Sequence, residues 1–113
     1  MTDEKLTIED LPAAGNGQRI LRLTGPLVLN SFFAFQTLVR EYQSTALVLD
    51  FTGVPYVDSA GIGALVGAYV NRQKDGRRLL LVGVMPRVRT ALQVTKVEQF
   101  FQFSDALPPQ ASA

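Results

Sequence analysis

With 113 residues, 47% of them hydrophobic and 19% charged, the chain has the composition of one globular domain, not of a disordered segment or a coiled coil. A net charge of +1 supplies no global field to recruit nucleic acid or an anionic membrane. Histidine and cysteine are both absent, which excludes disulfides, zinc centres, thiol nucleophiles and every catalytic arrangement built on imidazole.

Met1 to Lys5 is polar and acidic, unlike a secretory signal, and no apolar stretch reaches the roughly 20 residues of a membrane span. Both features, with the missing cysteines, predict a cytoplasmic domain. Leu6 to Leu11 reads as a strand with Leu6 and Ile8 on one face, and Pro12 to Gly17 as a turn. Ile20, Leu21 and Leu23, between Arg19 and Arg22, form a second strand that ends at Gly25-Pro26. Asn30 or Ser31 can cap a helix whose apolar positions are Phe32, Phe35, Leu38, Val39 and Tyr42, a spacing of three and four. The run Ala46 to Leu49, ending in Asp50-Phe51, predicts a strand covered on both faces.

A loop from Thr52 to Val57 then leads into a helix from Asp58 or Ser59 to about Lys74, closed by Asp75-Gly76. Arg78 to Val82 is a further apolar strand. Gly83 to Pro86 turns the chain into a third helix, where Val88, Ala91, Leu92 and Thr95 face inward. Phe100, Phe101 and Phe103 predict a last short strand or loop, and residues 107–113 a loose tail. The order β-β-α-β-α-β-α-β implies a single α/β domain over residues 1–113, with its core at about 6–106. Its sheet is mixed but mostly parallel, of four to five strands, with helices packed on it. Basic residues exceed acidic ones between Asn71 and Lys96, and this reads as a solvated face plus charges at helix C-termini.

The segment Leu47 to Gly67, LVLDFTGVPYVDSAGIGALVG, carries the most information. A buried strand delivers the chain to its carboxyl end, and a helix starts at Asp58-Ser59. Sites in open α/β sheets collect there, and a helix start offers unpaired N–H groups and partial positive charge. Ser59 or Asp58 can serve as the N-cap, and the same Ser59 hydroxyl is placed where a phosphate could be carried without disturbing the fold. Ala60, Gly63, Ala64, Gly67 and Ala68 make a stripe of small side chains. It is either tight packing on the domain's own sheet or a shallow surface for a partner's helix. Gly61 to Gly67 spells G-x-G-x-x-x-G and fits neither a dinucleotide fingerprint nor a P-loop.

Together Leu47 to Leu65, with the element order around it, resembles the STAS domain shared by anti-sigma factor antagonists and the tails of sulfate transporters. The resemblance runs from about Thr7 to Ala106. It implies a regulatory module that is not an enzyme and holds no cofactor or metal. Its partners would be a serine kinase-type anti-sigma factor and a phosphatase. It further implies that Ser59 is the phosphoacceptor, and that Asp58, Ser59, Ala60, Gly61, Ile62 and Gly63 belong to the partner surface. One position departs from the family: where an acidic residue often follows, Gly25-Pro26-Leu27-Val28 carries valine, and if that carboxylate assists kinase contact, recognition here must differ. The alternative reading is a STAS subunit or scaffold of a lipid-transport or signalling complex, never phosphorylated.

Overall fold

Short apolar runs separated by turn residues leave a chain of this length few ways to bury them all. The structure, a computed structural model, describes residues 5–13, 15 and 17–108. Five strands and three helices follow in the order β1 (Thr7–Pro12), β2 (Gln18–Thr24), α1 (Phe32–Glu41), β3 (Ala46–Gly53), α2 (Ser59–Lys74), β4 (Arg78–Val82), α3 (Pro86–Val94) and β5 (Gln102–Ser104). A single 3₁₀ turn, Glu98–Phe100, precedes β5. Ala14 and Asn16, in the expected first turn, and residues 109–113 of the expected tail lie outside the described residues. Leu107 is not loose: it packs against Ile20, Val48 and Val82.

Strand β1 pairs antiparallel with β2, while β2 to β5 are mutually parallel, and their spatial order repeats their order in the chain. Right-handed crossovers that always step the same way put their helices on the same face. Accordingly, buried residues of all three helices join one cluster with Leu21, Leu23, Leu47, Leu49, Phe51 and Leu81. Each such side chain contributes about 1.5–3 kcal/mol through the water it escapes.

The expectation that Ala46–Leu49 is covered on both faces holds, but only one cover is helical. On the second face Ile20, Val48 and Val82 are buried beside their strand neighbours Leu11 and Leu80 and against Ala13 and Leu107. With no reversal of strand order among β2 to β5, the sheet also has no switch-point crevice at its carboxyl ends.

The end of α2 follows its sequence signal closely, and the end of α3 takes the same form without one. After α2, Gly76 adopts φ +70° and donates to the Gln73 carbonyl, while Arg77 donates to that of Arg72. This is the double hydrogen bond that a left-handed glycine permits. Lys96, at φ +63°, closes α3 in the same way despite its side chain. Ser31 occupies the cap position of α1 but does not cap it. Its hydroxyl instead donates to the Pro26 carbonyl and accepts from the Val28 N–H, tying the preceding turn. Thr95 is exposed, contrary to expectation, because its hydroxyl bonds back to the Ala91 carbonyl at 2.8 Å.

Asp50 sits on the second face and is buried. Its carboxylate accepts from the Thr52 amide at 2.9 Å, the Thr52 hydroxyl at 2.6 Å and Arg22 Nε at 3.1 Å. Burial alone raises its pKa, but those hydrogen bonds outweigh it and hold the carboxyl below its ordinary value. A carboxyl depressed in the native state stabilises the fold above its unfolded pKa. That contribution fades as the pH falls through the native value. Asp50→Asn is therefore expected to flatten the loss of stability below about pH 4, in urea titrations at successive pH. An unchanged slope would mean that Asp50 titrates as it does in the unfolded chain.

Candidate functional site

The carboxyl end of β3 feeds a short loop that delivers Asp58 to the start of α2. Of the two candidate caps, Asp58 makes the bond: its Oδ1 accepts from the Gly61 N–H at 2.9 Å. Its other oxygen, Oδ2, accepts from the Leu29 N–H at 3.0 Å. One carboxylate thus closes the first turn of α2 and pins the turn ahead of α1 beside it. The backbone repeats the link, since Leu27 bridges Val57 in parallel and its carbonyl accepts from the Asp58 N–H at 3.4 Å.

Because Asp58 supplies the cap, Ser59 does not. It is the first residue of α2 and is exposed. Ala60 is half-buried, Gly61 and Ile62 are buried, and Gly63 is exposed. The predicted segment therefore divides. Ser59 and Gly63, with part of Ala60, face outward, while Ile62 belongs to the main core.

The two glycines differ in physical role. A Cβ at Gly61 would meet the Leu27 carbonyl oxygen at 2.0 Å, so the loop can lie on the helix only because no side chain intervenes. Nothing stands within 4 Å of a Cβ at Gly63. The stripe of small residues does not act as one: Ala64 and Ala68 pack into the core, Gly63 is exposed and Gly67 is half-buried.

Leu29, 64% exposed, stands out on the surface beside this helix start, and Phe33, 70% exposed, lies in the first turn of α1. Asp58 fixes the backbone of Leu29 there, and α1 runs alongside α2, with Gln36 Nε2 4.0 Å from where a Gly67 Cβ would be. The sequence reading did not single out either residue. Its available signal was that Phe33 falls off the apolar face made by Phe32, Phe35 and Val39.

Arg72 was also misread as part of a solvated basic face. It is 4% exposed and donates to three backbone carbonyls: Arg78 at 2.9 Å, Tyr42 at 3.1 Å and Ser44. Among the described residues no cluster of acidic side chains could hold a metal ion, and no helix is long and apolar enough to cross a membrane.

Several solved structures share this architecture. An anti-sigma factor antagonist, so described with reservation, from Thermotoga maritima superposes with a TM-score of 0.78 at 18% identity, over 88% of this chain and 87% of that one. The Bacillus cell fate determinant SpoIIAA in its phosphorylated form gives 0.63 at 17% identity, over 88% and 91%. The murine anion transporter Slc26a9 gives 0.75 at 17% identity, where 94% of this chain covers 21% of the transporter. At such identities the likeness is one of fold. The sequence itself matches the STAS domain over residues 10–108, from within β1 to the last described residue. That span takes in the loop, the Asp58 cap and the whole of α2, and it makes this chain a member of the STAS domain family.

Proposed function

We propose that this domain is an anti-sigma factor antagonist that acts in the cytoplasm by binding a serine kinase-type anti-sigma factor, and that phosphorylation of Ser59 releases the partner. The observation that carries this reading is the exposed Ser59 at the start of α2, relieved of capping by Asp58, whose second oxygen holds the exposed Leu29 beside it. In this reading the contact surface comprises the outward parts of Asp58, Ser59, Ala60 and Gly63. Gly61 and Ile62 support it from within. An exposed apolar side chain beside a flat, small-residue helix start suits close docking of a partner.

A phosphate on Ser59 adds about −1.5 to −2 charges at pH 7. The Gly61 N–H that could help neutralise it is already bound to Asp58, a carboxylate one residue away. The new charge therefore stays on the surface, where docking would have to strip it of water. The domain performs no chemistry in this cycle; the kinase adds the phosphate and a phosphatase removes it.

Two measurements test the reading. Fragmentation mass spectrometry of the protein isolated from its native cells is expected to find a phosphoryl group on Ser59. Calorimetry with the kinase-type anti-sigma factor of the same genome is expected to show binding by Ser59→Ala and a loss of about tenfold or more in Ser59→Asp, by uncompensated charge at the contact. Equal affinity of both variants would remove the switch.

Val28, half-buried where many family members carry an acid, favours a second reading in which the domain is an unmodified STAS subunit of a transport or signalling complex. Co-purification with a membrane ATPase, and an unmodified Ser59, would select it.

A further inference from the structure

Part of the basic excess, Arg72, Lys74 and Arg77, meets Arg40 at the other end of α2, about 20 Å from Ser59 at 1.5 Å per residue. There the C-terminal ends of α1 and α2 enclose a hollow of 270 Å³ lined by Arg40, Arg72, Lys74 and Arg77, with Asp75 as its one acid. Count for count the side chains leave a surplus of three positive charges. Two helix C-termini offset about one of them, at roughly half a charge each. A surplus of about two remains, more than capping the helices needs.

Arg72 makes the surplus hard to screen. It is 4% exposed and its hydrogen bonds go to neutral carbonyls, so among the described residues the only carboxylate that offsets its charge is Asp75, at a distance and without a hydrogen bond. Burial, and next the charge of Arg77, push its pKa down. Asp75 is engaged by Arg77 at 3.5 Å. Arg40 and Lys74 form no ion pair among the described residues. One sign of charge on low-dielectric walls concentrates the field inside a hollow.

We propose that this hollow is a binding site for a small phosphate-bearing anion, held by Arg40, Lys74 and Arg77 over the buried Arg72. Guanidinium groups offer several N–H donors in a plane, which suits the oxygens of a phosphoryl group. The site is independent of the Ser59 surface and would survive failure of the phosphorylation reading.

The test is a ¹⁵N NMR titration of the whole chain with inorganic phosphate and, separately, inorganic pyrophosphate, at ionic strength held constant with sodium chloride. The amides of residues 39–43 and 71–77 are expected to shift along a saturating curve. Tighter binding of pyrophosphate would identify a ligand with two phosphoryl groups, and equal binding a single one. The double variant Arg40→Gln, Lys74→Gln changes exposed side chains only and is expected to weaken binding about tenfold or more through lost charge-assisted contacts. Arg87→Gln, on α3 outside the hollow, is expected to leave it unchanged. Shifts that rise linearly without saturating, that chloride reproduces, or that the double variant retains would each overturn the site.

Discussion

Gly61→Ala is expected to destabilise the domain by about 3 kcal/mol or more, a steric conflict that the surroundings cannot absorb cheaply. The added methyl would sit 2.0 Å from the Leu27 carbonyl oxygen and 2.8 Å from its carbon. Those are backbone atoms, and they are held: Leu27 is fully buried, its N–H donates to the Tyr56 carbonyl, and its own carbonyl accepts from Asp58. Relief would require the 25–31 segment to lift off α2, breaking the Asp58–Leu29 bond as it went.

The neighbouring substitution provides the control. Gly63→Ala meets nothing within 4 Å and is expected to stabilise α2 by up to about 1 kcal/mol, the helix preference of alanine over glycine. Chemical denaturation of the two variants should therefore give shifts of opposite sign. Two losses of similar size would mean that both glycines serve helix packing.

Arg72→Met is expected to cost about 3 kcal/mol, the lower end for stranding three carbonyl acceptors at about 1–3 kcal/mol each, since water can reach some of them from the adjoining hollow. In a domain of this size that lowers the midpoint of thermal unfolding by roughly 12 °C. Arg72→Lys should recover little of it, because a single ammonium cannot span carbonyls contributed by Tyr42, Ser44 and Arg78. A calorimetric midpoint within about 2 °C of the parent would show that the three bonds are replaceable by water.

The sequence made most of the framework legible because local signals and tertiary placement agree. The run Ala46–Leu49, the spacing of Phe35 and Val39, and Gly76 each say locally what the fold then does with them. What was not legible depends on contacts between distant residues. Asp58 and Ser59 are equivalent caps by propensity, and only the approach of Leu29, 29 positions earlier, gives the second carboxylate oxygen its partner. Gly61 and Gly63 look alike in a helix, and only the path of Leu27 separates them. Arg72 sits in a basic stretch with nothing in its neighbours to announce burial, since its acceptors come from the end of α1, the following loop and β4. At the site, the exposure of Ser59 followed once Asp58 was assigned as the cap. The exposed Leu29 next to it required the position of α1 beside α2.

The agreement between spatial and chain order in the sheet has a consequence for how the protein is made. Each strand pairs with the one synthesised just before it, so no edge has to wait open for a later insertion. Helical segments close each parallel pair at modest sequence separation, which keeps the entropic cost of bringing strands together low. A chain emerging from the ribosome can add β3, then β4, then β5 to the sheet already formed, and only the short terminal strand is left to dock at the end.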